Sequence, residues 1–328
     1  MTSVDAIGAA PLRILRTLRR AAKIHDLYWS SRMDAYRIGA NACSLERPGR
    51  RLRITELGLS LARNRHEFFL KGLRDALLLS RRAKARFSVD AHDRILVEVA
   101  GIRAIVGTHQ EILILKEIFV TGVYNIATNR RAVVFDIGIN VGYTSLFMAS
   151  QPNVHAVHGF EPFEPTFQQL QQNLDLNPAL RDRIHAYNVG LGGADTTLVL
   201  PYSSQKRGSM GVAPLRGGKR LGEGVTQLPI TIVNAARIEE FTGPLDPSHD
   251  LLLKIDCEGA EYEILPALQA AGILSRAAAV MLEWHDRGPD SLVTVLQQSG
   301  FTVLSMADPL DEHFGMIYAV RGSTKADP

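Results

Sequence analysis

The sequence predicts an α/β protein whose mainly parallel, seven-stranded sheet includes a terminal antiparallel strand and follows a helical N-terminal region. Three observations predict this fold class. After about residue 90, apolar runs of strand length alternate with stretches of helical periodicity. The last two strand candidates are joined by "MADPLDEHFG", which is too short for a helical crossover and therefore indicates an antiparallel pair. Before residue 90, apolar residues recur instead with helical spacing.

The composition is that of an ordinary globular protein. Of 328 residues, 46% are hydrophobic and 22% are charged, which suffices for one large domain and a smaller addition. The two cysteines, Cys43 and Cys257, lie far apart, so neither a disulfide framework nor a structural zinc site is expected. We find no apolar run of the length of a membrane span or signal peptide, and we therefore expect a cytoplasmic protein.

We predict a helical region over residues 1–90. Residues 11–25 place leucines on one side of a helix and arginines on the other, a basic amphipathic pattern. Such a helix either packs on its own domain or contacts an anionic membrane surface, and the sequence leaves both open. A second helical pattern, residues 57–80, presents leucine and phenylalanine side chains suited to a core or to a homodimer surface.

The main domain is predicted over residues 91–322, followed by a tail at 323–328. It opens with a β-hairpin at 95–99 and 102–106, because apolar residues alternate on both sides of Gly101. The further elements alternate between the two types. Strands are predicted from 133 and at 154–160, 184–191, 251–255, 278–283, 301–305 and 316–320, and helices at 165–173, 260–271 and 290–299.

A nucleotide pocket is predicted where the first two of these parallel strands end. Asp136 ends the first strand, and Gly138, Asn140 and Gly142 occupy the turn before a helix, where glycine lets a ligand approach the backbone and free amides are available. Glu161 ends the next strand, and an acid there can bind both hydroxyls of a ribose.

This pocket alone fits either NAD or S-adenosylmethionine. The D-x-G-x-N-x-G spacing departs from the dinucleotide pattern G-x-G-x-x-G, and an acid after strand one suits a cationic methionine group better than a pyrophosphate. An NAD-dependent oxidoreductase is therefore a weaker alternative. A glycine turn that merely joins strand and helix is weaker still, since the two acids lie at the expected distance.

A third motif, "LLLKIDCEGAEYEIL", brings Lys254, Asp256 and Glu258 to the end of a buried strand. It resembles the K-I-D-x-E-G-A-E signature of the FkbM family of S-adenosylmethionine-dependent methyltransferases, with Cys257 at a position that is usually apolar. The stretches "FDIGINVG", "GFEPFEPTFQQLQQNLDLN" and "VMLEWH" resemble other motifs of that family, in the same order. The likeness covers roughly residues 94–320.

The resemblance implies a Rossmann-like class I methyltransferase fold and O-methylation of a hydroxyl on a sugar, glycolipid or other natural product. Such a transfer needs an in-line geometry and a base for the hydroxyl proton. His285 is the obvious base because its ordinary pKa is near neutrality, although a histidine merely hydrogen-bonded at a strand end fits nearly as well. The predicted catalytic residues are Asp256, Glu258, His285 and Lys254, and the predicted cofactor-binding residues are Asp136, Gly138, Asn140, Gly142, Glu161 and Asp256.

Metal assistance is the main open point of the mechanism. Some O-methyltransferases of similar fold use magnesium, and Asp256, Glu283, His285 and Asp286 offer suitable ligand atoms. The FkbM pattern does not require a metal, so we expect none.

The sequence indicates a small-molecule or glycan acceptor as the partner. Residues 203–224 hold six glycines and five lysines or arginines, which indicates either a lid over the acceptor or a solvated insertion. These charges lack interleaved aromatic residues and the net charge is only +3, so a nucleic-acid substrate is not expected. A catalytically silent relative, with its helical region as a docking module, is the alternative from another functional class.

Overall fold

The computed structural model of the chain describes residues 43–46, 51–62, 65–125, 128, 130–206, 224–308 and 312–321. It divides into two compact units, Met1–Val123 and Tyr124–Pro328. The predicted basic helix at 11–25 and most of the glycine-rich segment at 203–224 lie outside the described residues. Within the described parts of the chain, no helix has the length and apolar composition to cross a membrane.

In the described part of the first unit, the earliest elements form a three-stranded antiparallel sheet where helices were predicted. Its strands are β1 (Cys43–Glu46), β2 (Arg51–Ile54) and β3 (Leu59–Ala62). The helical prediction is wrong for β3, because burial there alternates residue by residue and places Leu59 and Leu61 on one face. The rest of the predicted helical stretch forms α1 (Glu67–Lys71) and α2 (Leu73–Ala83).

The predicted hairpin is confirmed as β5 (Ile95–Val99) and β6 (Ile102–Val106), and β4 (Arg86–Val89) pairs with β5 to complete a second sheet. The helix α3 (His109–Lys116) follows and continues into a π-helical turn. All of these elements belong to the first unit, whereas the sequence analysis assigns the hairpin to the domain that begins at residue 91.

The second unit contains the expected seven-stranded sheet, in the order β15-β16-β14-β13-β7-β8-β9. β16 runs antiparallel to both of its sheet neighbours, β14 and β15, and all other pairs in this sheet are parallel, which confirms the predicted terminal hairpin. The strands are β7 (Ala132–Ile137), β8 (Val154–Phe160), β9 (Ile184–Tyr187), β13 (Asp250–Ile255), β14 (Ala277–His285), β15 (Thr302–Ala307) and β16 (Phe314–Val320).

The four longer helices of this unit each follow a strand of the parallel part of the sheet. Every residue of the interior strand β7 is buried, as expected for a parallel strand with both faces covered. The predicted helices are confirmed with small shifts at their ends. The helices are α4 (Tyr143–Ser150), α5 (Glu164–Asp175), α6 (Pro178–Arg181), α7 (Glu239–Thr242), α8 (Glu261–Ala270), α9 (Ile273–Arg276) and α10 (Asp290–Gln298).

A third small sheet lies between β9 and β13 in the chain. It consists of β10 (Gly190–Gly192), β11 (Thr196–Tyr202) and β12 (Thr226–Asn234), with β12 in the centre. The single strand predicted at 184–191 is therefore two strands. Strands β11 and β12 were not predicted from the sequence, since both leave many residues exposed and show no buried apolar run.

A cofactor cleft and an acidic cluster at the strand ends

The loop between β7 and α4 is tied to the strands on both sides of it. The amides of Gly138 and Ile139 both donate to the carbonyl of Phe160, at 3.1 and 3.0 Å. Gly138 has φ +83°, and a Cβ built there would lie 1.9 Å from the carbonyl oxygen of Asp256. Glycine is therefore required at this position by both backbone conformation and the close approach of the β13 end.

The second half of this loop is held by helix α5. The side-chain amide of Asn173, which is fully buried, donates to the carbonyl of Val141 at 2.8 Å. Gly142 precedes α4 with φ +88°, and an added Cβ would lie 2.3 Å from the Leu170 side chain. Asn173, the first asparagine of "NLDLN" in the quoted "GFEPF" stretch, thus positions the loop and does not line the cleft.

Asn140 and Glu161 meet at the carboxyl ends of β7 and β8. Asn140 has φ +54°, and among the described residues its buried Oδ1 has no hydrogen-bond partner. The backbone amides of Asn140 and Phe163 both donate to the Glu161 carboxylate. Burial raises the pKa of Glu161 to about 7, against the opposing effect of these two amides. A carboxylate offers about four lone-pair positions, so Glu161 can still accept hydrogen bonds from a ligand.

Asn140 and Glu161 line an open cleft at the carboxyl ends of the parallel strands. One wall is polar and comes from the ends of β7, β8 and β13, and the other is apolar and comes largely from the small β10–β12 sheet. The lining residues are Ile137, Gly138, Asn140, Phe160, Glu161, Pro162, Phe163, Gly190, Leu191, Leu200, Ile230, Ile232, Asp256, Cys257, Glu258 and Ala260.

Asp136 and Lys254 do not line the cleft; they are buried and paired with each other. The two are direct neighbours across β7 and β13, and Lys254 Nζ lies 3.1 Å from Asp136 Oδ1. Lys254 Nζ also donates to the carbonyl of Gly138 at 2.6 Å and lies 3.6 Å from Asp256 Oδ2. Ser145 Oγ donates to the other Asp136 oxygen at 2.7 Å.

Burial alone would lower the pKa of Lys254, but the charges of Asp136 and Asp256 outweigh it and raise that pKa. Lys254 is therefore charged, and only 3% of its surface is exposed. The sequence analysis predicts a catalytic role for it. Because its Nζ is enclosed by two acids and the Gly138 carbonyl, the geometry favours a role in holding the loop over a catalytic one. Asp136 is the nearer of its two acidic partners.

His285 ends β14 inside a cluster of carboxylates. Its Nδ1 lies 3.1 Å from Glu261 Oε1, which also accepts from the His285 backbone amide at 2.8 Å. Its Nε2 lies 3.7 Å from Glu258 Oε2 and 3.8 Å from Glu283 Oε1. Burial would lower the pKa of His285, but Glu261, Glu258 and Asp256 together raise it to about 10. Acids this close favour the protonated imidazole and so disfavour the neutral base predicted from its ordinary pKa.

The structure thus separates the predicted site residues into two groups. Five of them line the cleft: Gly138, Asn140, Glu161, Asp256 and Glu258. The other four, which are Asp136, Gly142, Lys254 and His285, lie behind its wall or beside it.

Two features of the site were not predicted from the sequence, and a third, a set of possible metal ligands, was named there only as a possibility. The apolar wall from β11 and β12 includes Leu200 and Ile230, and alternating apolar residues were its only signal. Glu261 supports His285 from α8; it is the final Glu of the quoted K-I-D-x-E-G-A-E match, but its spacing to His285 gives no hint of contact. Finally, the ligand atoms of Asp256, Glu283 and His285 lie within 4.8 Å of one another, among the described residues.

The chain is similar in sequence to several methyltransferases and to an antimetabolite synthetase. The chain is 28% identical over 202 residues to "31-O-demethyl-FK506 methyltransferase FkbM" of Streptomyces tacrolimicus, covering 54% of this chain and 75% of that protein. It is 27% identical over 231 residues to "Methyltransferase sdnD" of Sordaria araneosa, covering 63% and 89%. It is also 26% identical over 236 residues to "AMB antimetabolite synthetase AmbE" of Pseudomonas aeruginosa, covering 61% of this chain but only 11% of that protein.

Among solved structures, the chain is similar to "Methyltransferase FkbM" from Methylobacillus flagellatus KT, with 13% identity and a TM-score of 0.42. That match covers 76% of this chain and 59% of the other. The family model described as "Methyltransferase FkbM domain" matches residues 136–303, which is slightly more than half of the chain and includes the β7 loop, Glu161 and the Lys254 motif. The chain therefore belongs to the FkbM methyltransferase family.

Proposed function

We propose that this protein binds S-adenosylmethionine in the cleft and transfers its methyl group to a hydroxyl oxygen. The observation on which the proposal depends is the pair Asn140 and Glu161 at the head of the cleft. The buried Asn140 Oδ1 lacks a partner among the described residues, and Glu161 retains acceptor capacity. Both need hydrogen-bond donors, and a nucleoside with ribose hydroxyls and an amine supplies them.

The rest of the cleft fits the same cofactor. Glu161 would accept from the ribose hydroxyls, and the apolar side chains of Phe163, Leu200 and Ile230 would pack on the adenine. Asp256 would face the methionine end, where a carboxylate suits a positive charge. Asp136 and Lys254 would act indirectly, because their ion pair and the bond to the Gly138 carbonyl hold the loop in place.

Transfer to oxygen is favoured by the carboxylates at the acidic end of the cleft. S-adenosylmethionine supplies an electrophilic methyl group: the acceptor oxygen forms the new C–O bond as the C–S bond breaks, which leaves the neutral thioether S-adenosylhomocysteine. The hydroxyl proton must leave as well. Asp256 and Glu258 line the cleft and can take it, whereas His285 does not line it.

One relative supports the choice of a hydroxyl. The Streptomyces tacrolimicus protein is named for an O-demethyl substrate, 31-O-demethyl-FK506. We infer that the present chain also methylates a hydroxyl of a natural product or glycan.

The first test is calorimetric titration of the full chain with S-adenosylmethionine and, separately, with NAD. We expect binding of S-adenosylmethionine alone, and at least a tenfold loss of affinity in Glu161→Ala. The matched control is Glu164→Gln, three residues away and exposed, which should bind as the parent does. Binding of NAD alone would contradict the proposal.

The second test measures S-adenosylhomocysteine formed with hydroxylated acceptors, namely free sugars, glycolipids and macrolides that carry an unmethylated hydroxyl. We expect formation with at least one class and its loss in Glu161→Ala. Firm cofactor binding without turnover on any acceptor would instead support the catalytically silent alternative.

A further inference from the structure

The acidic cluster beside the cleft has the arrangement of a metal site. Glu283 and His285 are two residues apart on β14 and therefore share one face of the sheet. Asp256 follows the neighbouring parallel strand β13 at the same edge. One ligand atom from each of the three side chains lies within 4.8 Å of the others.

The orientation of the His285 ring supports a metal site independently of the spacing of the ligand atoms. His285 is buried, with only 3% of the residue exposed, and its Nδ1 is held by the fully buried Glu261. Glu261 is itself fixed, because its Oε2 accepts from the amide of Gly259 at 2.9 Å. Metal-binding histidines in proteins are oriented in this way, with one ring nitrogen on a carboxylate and the other directed at the ion.

The Nε2 nitrogen is directed into the cluster, and it has no hydrogen bond with any residue that the structure describes. Its distances of 3.7 Å to Glu258 and 3.8 Å to Glu283 exceed hydrogen-bond length. Two ligands of an ion with bonds of about 2.1 Å lie about 3.0 to 4.2 Å apart, depending on the angle between them. The gap between Nε2 and the Glu283 oxygen therefore already fits a bound ion.

We propose that Asp256, Glu283 and His285 bind a divalent metal ion, with Glu261 as the residue that orients the histidine. The sequence analysis expects no metal, and the geometry leads us to the opposite conclusion. Two carboxylates and an imidazole favour a divalent first-row transition ion over Ca²⁺ or Mg²⁺, which prefer oxygen ligands alone, and Mn²⁺ serves below as the paramagnetic probe of the site.

The site deepens the proposed function and depends on it for its role. Asp256 belongs both to the cluster and to the lining of the cleft, so an ion there would lie beside the acceptor. A bound divalent ion lowers the pKa of a coordinated hydroxyl. Open coordination positions favour acceptors with two adjacent oxygens, such as a vicinal diol or an α-hydroxy acid.

The test is a titration of the metal-free, full-length protein with Mn²⁺ at pH 8, followed by electron paramagnetic resonance and calorimetry. We expect one equivalent to bind, and Glu283→Gln and His285→Gln to weaken binding at least tenfold. Glu261→Gln should weaken it by about 10- to 100-fold, because it removes only the orienting carboxylate. Glu240→Gln, an exposed acid in a salt bridge with Arg237, is the matched control and should bind as the parent does.

S-adenosylmethionine binding is measured on the same proteins, so the two proposals can fail separately. Glu283 does not line the cleft, and Glu283→Gln should therefore keep its cofactor affinity and show that it is folded. Absence of Mn²⁺ binding at 1 mM ion (about a thousandfold above a micromolar Kd), or equal binding in parent and Glu283→Gln, would overturn the metal site. Neither result would affect the proposed cofactor binding.

Discussion

At the scale of the residue, Glu161 is an acid whose burial disfavours its ionised form. The carboxylate is buried before any ligand arrives, and burial raises its pKa to about 7. Two backbone amides only partly compensate for the lost water. The residue is therefore prepared to accept hydrogen bonds from a ligand at the expense of the ligand-free fold.

Cofactor affinity should follow the ionisation of Glu161. At pH 6 about one in eleven of these side chains is ionised and at pH 8 about ten in eleven, given a pKa of about 7. If the ionised form is the one that binds ribose hydroxyls, the affinity for S-adenosylmethionine rises about tenfold over this interval. Calorimetry at pH 6, 7 and 8 measures it, and a similar rise in Glu161→Gln would assign the effect to another group.

The same residue should make the ligand-free fold less stable as the pH rises. In the unfolded chain Glu161 titrates near 4.5 and in the folded protein near 7, so between these values the folded state holds a proton that the unfolded state releases. Its contribution to the free energy of unfolding falls over this range, by at most about 3 kcal/mol. Urea unfolding at pH 5 and pH 8 should show a smaller difference in Glu161→Gln than in the parent, and Glu164→Gln should match the parent.

The buried ion pair of Asp136 and Lys254 should behave as a unit. Lys254→Met leaves the Asp136 carboxylate buried without its counter-ion, and we expect a loss of about 3–5 kcal/mol in the free energy of unfolding. In the double variant with Asp136→Asn, the loss should be clearly smaller than the sum of the two single losses. Lys71→Met, at an exposed lysine, serves as the control for urea unfolding. Additive losses would mean that the two side chains do not stabilise each other.

At the scale of the element, helix α5 stabilises the loop between β7 and α4. Asn173 donates to the carbonyl of Val141, in the loop between β7 and α4. Without that donor, a buried carbonyl is left unsatisfied. The conformation of this loop therefore depends on a side chain that lies 32 residues further along the chain.

Asn173→Ala should cost about 1–3 kcal/mol of stability, the usual penalty for an unsatisfied buried polar group. It should also weaken cofactor binding, since Asn140 belongs to the same loop. Urea unfolding and calorimetric titration measure the two effects. Gln168→Ala, on the exposed side of the same helix, is expected to change neither. Unchanged cofactor affinity in Asn173→Ala would show that the loop keeps its conformation without this hydrogen bond.

At the scale of the whole molecule, all residues that line the cleft belong to the second unit. We expect S-adenosylmethionine to slow hydrogen exchange in peptides that cover residues 137–142, 160–163 and 256–260. Peptides from the hairpin at residues 95–106 should exchange at the same rate with and without the cofactor. Hydrogen–deuterium exchange with mass spectrometry measures both, and protection confined to the hairpin would contradict the proposed location of the site.

Much of the second unit, and the hairpin of the first unit, could be predicted because their apolar periodicity is strong. The strand over residues 154–160 and the hairpin of β5 and β6 match their predicted bounds, since a buried strand and an alternating hairpin have distinct apolar patterns. β3 was mistaken for helix because its leucines also fit helical spacing. β11 and β12 were missed because exposed strands lack an apolar run.

The sequence by itself determined the strands of the seven-stranded sheet with the longer helices between them, the glycine loop, the acid at Glu161 and the family, because each depends on residues that are close together in the chain. Only the tertiary structure decided which charged side chains face the cleft. Lys254 is paired with Asp136 because β13 lies beside β7 in register, and His285 meets Glu261 because helix α8 packs near the end of β14. Periodicity along one strand cannot specify what packs against it, because that depends on the pairing of strands and helices distant in the chain.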